Sequence, residues 1–145
     1  MGGEKKLDGK GKEYKDNKLI YEGEYYNGMR DGKGKEYNEK GEDDTELEGI
    51  YYNNALNGFT RIYFPNKEIF KGEIFDDEAG GYGVYYFSRQ GCQYEGYWEE
   101  NYKNGIGKEN WWYRDNYEGE FKNGKKNGIG VYHWQKLPNN IKKIP

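Results

Sequence analysis

The chain has 145 residues, a mass of 17.1 kDa and a net charge of −3, enough for one ordinary domain or a short repeat array. That charge excludes a strongly basic nucleic-acid binder. A hydrophobic fraction of 33% points toward disorder, but 17 Tyr, 6 Phe, 4 Trp and 23 Gly point to an ordered fold with few aliphatic residues.

Residues 1–7 form an N-terminal segment, and a repeat begins at Asp8. The segment DGKGKEY runs from Asp8 to Tyr14 and recurs from Asp31 to Tyr37. The first occurrence lies in a half-copy, residues 8–20. Full copies start at Tyr21, Leu47, Phe70, Tyr94 and Tyr117, and the array closes near Trp134. Residues 135–145 form a tail with two prolines. The shared frame is aromatic, x, Gly, x, aromatic, two residues, Gly, three residues, Gly, x, Gly.

Each copy reads as a β-hairpin. In the first, Tyr21, Gly23 and Tyr25 alternate with Glu22 and Glu24, which is strand periodicity with the aromatics on one face. An Asn/Gly turn follows. Its mid-turn glycine is Gly28 or Gly124, replaced elsewhere by Asn54, Asp77 and Asn101, residues that tolerate positive φ. The second strand carries paired glycines (Gly32/Gly34, Gly81/Gly83, Gly105/Gly107, Gly128/Gly130), with Gly58/Thr60 as the departure. Glycine weakens a strand unless something approaches closely, so aromatic rings are expected to pack over it. The ring set is Tyr21, Tyr25, Tyr51, Phe70, Tyr94, Trp98, Tyr117 and Phe121, expected to build the structure or line a protein-binding groove. A lone hairpin buries too little to fold, so copies must stack.

The segments YEGEYYNGMRDGKGKEY, YEGYWEENYKNGIGKENWW and YEGEFKNGKKNGIGVYHW resemble the MORN (membrane occupation and recognition nexus) repeat family. LEGIYYNNALNGFTRIYF and FKGEIFDDEAGGYGVYYF keep the phase. The resemblance implies an all-β, elongated, twisted antiparallel meander of consecutive hairpins with an aromatic groove. It implies a non-catalytic scaffold or adaptor in a cytoskeletal, ciliary or membrane-associated assembly. Phosphoinositide binding is also attributed to the family.

The chemistry in the sequence agrees with a non-enzyme. The lone Cys92 and the lone His133 fall at different frame positions and in different copies, which disfavours a dyad and leaves too few ligands for zinc. The acidic runs Glu42-Asp43-Asp44 and Asp76-Asp77-Glu78 lack calcium-loop spacing and fall where turns belong. No phosphate-binding glycine motif is present. No cofactor, metal, small-molecule substrate or nucleic acid is expected. No apolar N-terminal stretch resembles a signal peptide, so an intracellular, cytoplasmic setting is expected.

Charge is unevenly spread. Residues 41–100 hold 4 basic and 13 acidic groups, and residues 101–145 hold 9 and 4. Lys122, Lys125, Lys126, Lys136, Lys142 and Lys143 are candidates for an anionic-lipid patch, at about 1 kcal/mol each near a charged surface. The alternative is solubility with a head-to-tail electrostatic contact. Trp111 and Trp112 are consecutive, so one points away from the ring face; the pair are candidate partner anchors, with packing under a terminal segment as the alternative. The half-copy lacks its own first strand, which makes the N-terminal sheet edge a candidate dock for a partner strand or a second copy.

Overall fold

The computed structural model describes residues 6–38, 45–88, 91–111 and 115–135. Its strands are β1 (Gly9–Lys15), β2 (Lys18–Tyr26), β3 (Met29–Tyr37), β4 (Thr45–Tyr52), β5 (Ala55–Leu56), β6 (Gly58–Tyr63), β7 (Ile69–Phe75), β8 (Glu78–Tyr86), β9 (Gln93–Glu99), β10 (Tyr102–Asn110), β11 (Asn116–Lys122) and β12 (Lys125–His133). Each pairs antiparallel with the next in one open sheet, except that β5 is a short piece pairing with β4 ahead of β6. The chain is all-β, as the hairpin pattern predicts, and the described residues contain no helix.

The hairpin turns show why the frame is rich in Asn, Asp and Gly. Both central residues of each within-copy turn have positive φ: Asn27/Gly28, Asn53/Asn54, Asp76/Asp77, Glu100/Asn101 and Asn123/Gly124. That is the twist-matched hairpin turn, which most side chains resist. The second residue also reaches the neighbouring hairpin. Asn101 N–H donates to Ala79 O at 3.1 Å, and its Oδ1 accepts from Ala79 N–H at 2.7 Å. Asp77 does the same with Leu56, and Asn54 with Arg30. Gly124 makes only the backbone bond, to Lys103 O. So Asn and Asp at this position do more than tolerate the φ: their side chains tie one hairpin to the previous one.

The paired glycines have two different jobs. The first of each pair (Gly32, Gly58, Gly81, Gly105, Gly128) sits at a bulge with φ between 67° and 134°. Between Gly23/Gly34 and Tyr25/Arg30, β3 takes four residue steps while β2 takes two. In three copies a carboxylate meets a bulged N–H group. Glu24 accepts from Lys33 N–H at 2.6 Å, Glu73 from Tyr82 N–H at 3.1 Å and Glu120 from Ile129 N–H at 2.7 Å.

The second glycine belongs to a row that crosses the sheet. Gly11 pairs with Gly23, Gly23 with Gly34, and Gly34 with Gly49; after the exception Thr60 come Gly72, Gly83, Gly96, Gly107, Gly119 and Gly130, each paired with the next. A Cβ on Gly34 would meet the Tyr21 ring, one on Gly107 the Tyr94 ring, and one on Gly130 the Tyr117 ring. Among the described residues the sheet has no second layer. Its core includes the leading aromatics Tyr21, Phe70, Tyr94 and Tyr117 lying down on bare backbone, and only glycine lets the ring that close. The rings meet edge to face: Tyr21–Tyr25 at 5.7 Å, Tyr21–Tyr51 at 5.4 Å, Tyr94–Phe121 at 5.0 Å and Phe70–Trp98 at 5.5 Å. Thr60 has a matching cause. Its copy starts with Leu47 rather than an aromatic, and the fully buried Thr60 side chain and Leu56 pack against Gly49 instead.

Candidate functional site

The ring face is built from three-part units. Nine residues after the leading aromatic stands a cation where that aromatic is Tyr: Arg30 after Tyr21, Lys103 after Tyr94 and Lys126 after Tyr117. Where it is Leu47 or Phe70, the position holds Leu56 or Ala79. The Arg30 guanidinium lies 3.9 Å from the Tyr21 ring centroid, and the ammonium groups of Lys103 and Lys126 lie 5.1 Å from the Tyr94 and Tyr117 centroids. A carboxylate closes the unit. Arg30 bonds Glu13 at 2.6 Å and Glu36 at 2.9 Å, and Lys103 bonds Glu109 at 2.9 Å. Tyr25 donates to Glu13 at 2.8 Å, and Tyr51 donates to Glu36.

Protonation follows from this packing. Burial opposes ionisation of Glu13, but the Arg30 and Tyr25 bonds outweigh it and hold Glu13 below the usual carboxylate range. Burial pushes the Tyr21 phenol up to about 12, against the pull of Arg30. Burial, then the Glu36 bond, raises Tyr51 as well. At neutral pH these groups are a static brace: Glu13 is charged, the Tyr21 and Tyr51 phenols are neutral, and Arg30 links the two carboxylates. Nothing in this cluster is set up to give or take a proton.

Of the eight aromatics singled out from sequence, Tyr21, Tyr25, Tyr51, Phe70, Tyr94, Tyr117 and Phe121 are buried. Trp98 is half-buried, its indole N–H bonded to Gly83 O at 3.1 Å. They form two core clusters and leave little ring surface for a partner. Phe64 is exposed against Tyr85 in the middle of this face, and a larger exposed group lies at its C-terminal end. Tyr132 and Trp134 stack 5.8 Å apart, with Trp111 6.0 Å from Tyr132 and Lys126 4.2 Å from the Trp111 ring. Trp111 is half-buried in this stack, and Trp112 lies outside the described residues.

The opposite face carries the accessible chemistry. Lys12, Glu22, Lys35, Glu48 and Arg61 follow one another across β1, β2, β3, β4 and β6, with signs alternating strand by strand. Lys35–Glu48 stands at 3.4 Å and Lys12–Glu22 at 3.9 Å. These residues line a depression of about 1240 Å³ that also takes in Ile50 and Phe59, both exposed. Further along the same face, Tyr82 and Tyr97 pair at 5.8 Å while 48% and 52% exposed, and Ile106 is exposed beside them.

Of the lysine candidates, Lys122, Lys125 and Lys126 come together at the β11–β12 turn around a shallow depression shared with Tyr102. Lys126 is partly committed to Trp111 and to Glu109 at 4.0 Å. Lys136, Lys142 and Lys143 lie outside the described residues, as does the acidic run 42–44. Asp76 and Asp77 form the β7–β8 turn. Among the described residues no group of His, Cys, Asp and Glu could hold a metal ion. Cys92 precedes β9 and His133 ends β12, with β10 and β11 between them.

Sequence reasoning missed Arg30, Lys103, Glu13, Glu36 and Glu109. The signal was there: a cation nine residues after each leading Tyr, and none after Leu47 or Phe70.

The MORN repeat model fits residues 21–42, 70–92, 94–111 and 117–136, more than half of the chain. The copy starting at Leu47, with its Thr60, falls outside the matched segments. No curated protein matches the chain.

Proposed function

The chain belongs to the MORN repeat family, and from that premise we propose that it is a non-catalytic scaffold or adaptor that binds a protein partner along the back of its sheet. Repeats of this family are typically modules associated with proteins or membranes. The assembly it serves is cytoskeletal, ciliary or membrane-associated, within the cytoplasm. One observation carries the choice of face. The rings that a groove would offer are spent on the core, whereas Ile50, Phe59, Tyr82, Tyr97 and Ile106 are exposed together on the other side. Exposed aromatics beside ordered charges are the usual ingredients of a recognition surface. The alternating charges set register and reject mismatched partners more than they add affinity.

The test is affinity purification with the full chain against its Tyr82→Lys/Tyr97→Lys variant, after circular dichroism shows both folded alike. The proposal expects a partner recovered at physiological salt with the wild type and lost with the variant. Recovery of the same partner by both would overturn it.

A second reading has its own support: Lys122, Lys125 and Lys126 cluster around one depression, which suits an anionic lipid surface. Co-sedimentation with phosphoinositide vesicles at physiological salt, abolished by changing all three lysines to Glu, would establish it. Protein left in the supernatant, or pelleting only at low salt, would remove it.

A further inference from the structure

The two walls of the back-face depression differ in how their charges are used. One wall neutralises itself: Glu22 faces Lys12, and Glu48 is shared between Lys35 at 3.4 Å and Arg61 at 4.0 Å. The other wall runs across the strands as Lys10 on β1, Glu24 on β2, Lys33 on β3, Ile50 on β4 and Phe59 on β6. Its one acid is engaged, because Glu24 accepts from Lys33 N–H. The ammonium groups of Lys10 and Lys33 make no ion pair among the described residues, and both side chains are exposed. Five cations and three acids line the depression, so positive charge is in excess, and these two lysines carry it.

Charge and shape limit the occupant. Lys10 and Lys33 stand two strands apart, about 10 Å at the usual strand spacing. Ile50 and Phe59 continue the same line for about another 10 Å, and both are exposed. The wall is therefore cationic at one end and apolar at the other. A basic segment would be repelled at Lys10 and Lys33. A uniformly anionic surface would match the lysines but set charge against Ile50 and Phe59. An occupant that is acidic at one end and apolar at the other matches both halves.

We propose that the depression takes an acidic–apolar peptide segment of the protein partner, an inference that rests on the back-face reading above. Two carboxylates about 10 Å apart meet Lys10 and Lys33, and two large apolar side chains follow onto Ile50 and Phe59. The acidic end lies over β1–β3 and the apolar end over β4–β6. Exposed ion pairs each contribute little, so the lysines select and orient the segment while apolar contact holds it.

The probe is a phage-displayed library of random linear peptides, selected on the full chain at physiological salt. Selected peptides should share spaced Asp or Glu residues followed by large apolar ones. A labelled synthetic copy of the best peptide is then titrated by fluorescence anisotropy against variants that circular dichroism shows to be folded. Lys10→Glu/Lys33→Glu should bind it roughly thirtyfold more weakly. Ile50→Lys/Phe59→Lys should also weaken it, and Lys10→Arg/Lys33→Arg should bind like the wild type. Selection of no peptide, or of peptides without the acidic element, overturns the proposal. So does equal binding by the wild type and Lys10→Glu/Lys33→Glu. Binding lost only with Tyr82→Lys/Tyr97→Lys sinks this inference and leaves the back-face reading standing, whereas binding indifferent to both pairs sinks both. Anionic vesicles bound through Lys10 and Lys33, with no peptide selected, would overturn it in favour of a membrane surface.

Discussion

Tyr21 and Tyr94 occupy the same frame position, are equally inaccessible and differ in one bond. Tyr94 donates its hydroxyl to Tyr97 O at 2.8 Å, whereas the buried Tyr21 hydroxyl has no hydrogen-bond partner among the described residues. A buried polar group without a partner costs its desolvation, and a satisfied one contributes about 1 kcal/mol net. Tyr94→Phe is therefore expected to cost about 1 kcal/mol in urea unfolding, and Tyr21→Phe to be neutral or stabilising. A loss of equal size at both positions would show that Tyr21 is satisfied after all.

The Arg30 cluster makes stability depend on pH at both ends. Glu13 is held below its ordinary value of 4.5. Its contribution is complete above that value and is lost as the pH falls through the lowered one. Tyr21 is raised from 10 to about 12. Its contribution is complete below pH 10 and disappears as the pH climbs through about 12. Glu13→Gln should flatten the acid limb of the unfolding midpoint against pH, and should also ease the alkaline limb, because Glu13 helps to hold the Tyr21 and Tyr25 phenols neutral.

At the scale of the hairpin, the frame proves to be a set of backbone demands met by side chains. Positive φ at the mid-turn was legible, because Gly, Asn and Asp alternate there. That Asn54, Asp77 and Asn101 also bond the preceding hairpin was not, since one residue type serves both needs and the partner lies in another copy. The paired glycines were read as one face under the rings. The structure splits them into a bulge residue and a row residue, a difference of φ that spacing does not encode. Glu100 is the one poor fit in the within-copy turns, an acidic side chain at φ 47° where the other copies place Asn or Asp. Glu100→Asn should raise stability by about 0.5–1 kcal/mol, read as a higher denaturant midpoint with an unchanged slope. A lower midpoint would mean that Glu100 makes a stabilising contact.

Over the whole molecule, the two faces divide the work. Repetition made the array legible, because five copies fix one phase. The site was less legible. Aromatics in a glycine frame suggested a groove, but in a one-layer sheet the rings have no other surface to bury against and lie on the glycine row. The surface proposed for recognition is the back face, where Tyr82 and Tyr97 stay exposed among the described residues, and exposure of that kind leaves no motif.

The most direct measurement compares two neighbours on one strand, Tyr94 on the ring face and Tyr97 on the back. Urea unfolding of Tyr94→Leu and Tyr97→Lys separates folding from recognition. Tyr94→Leu should lose about 3 kcal/mol, and Tyr97→Lys no more than about 1 kcal/mol, since its exposed ring loses only its pairing with Tyr82. Equal losses would place both faces in the core and contradict the division.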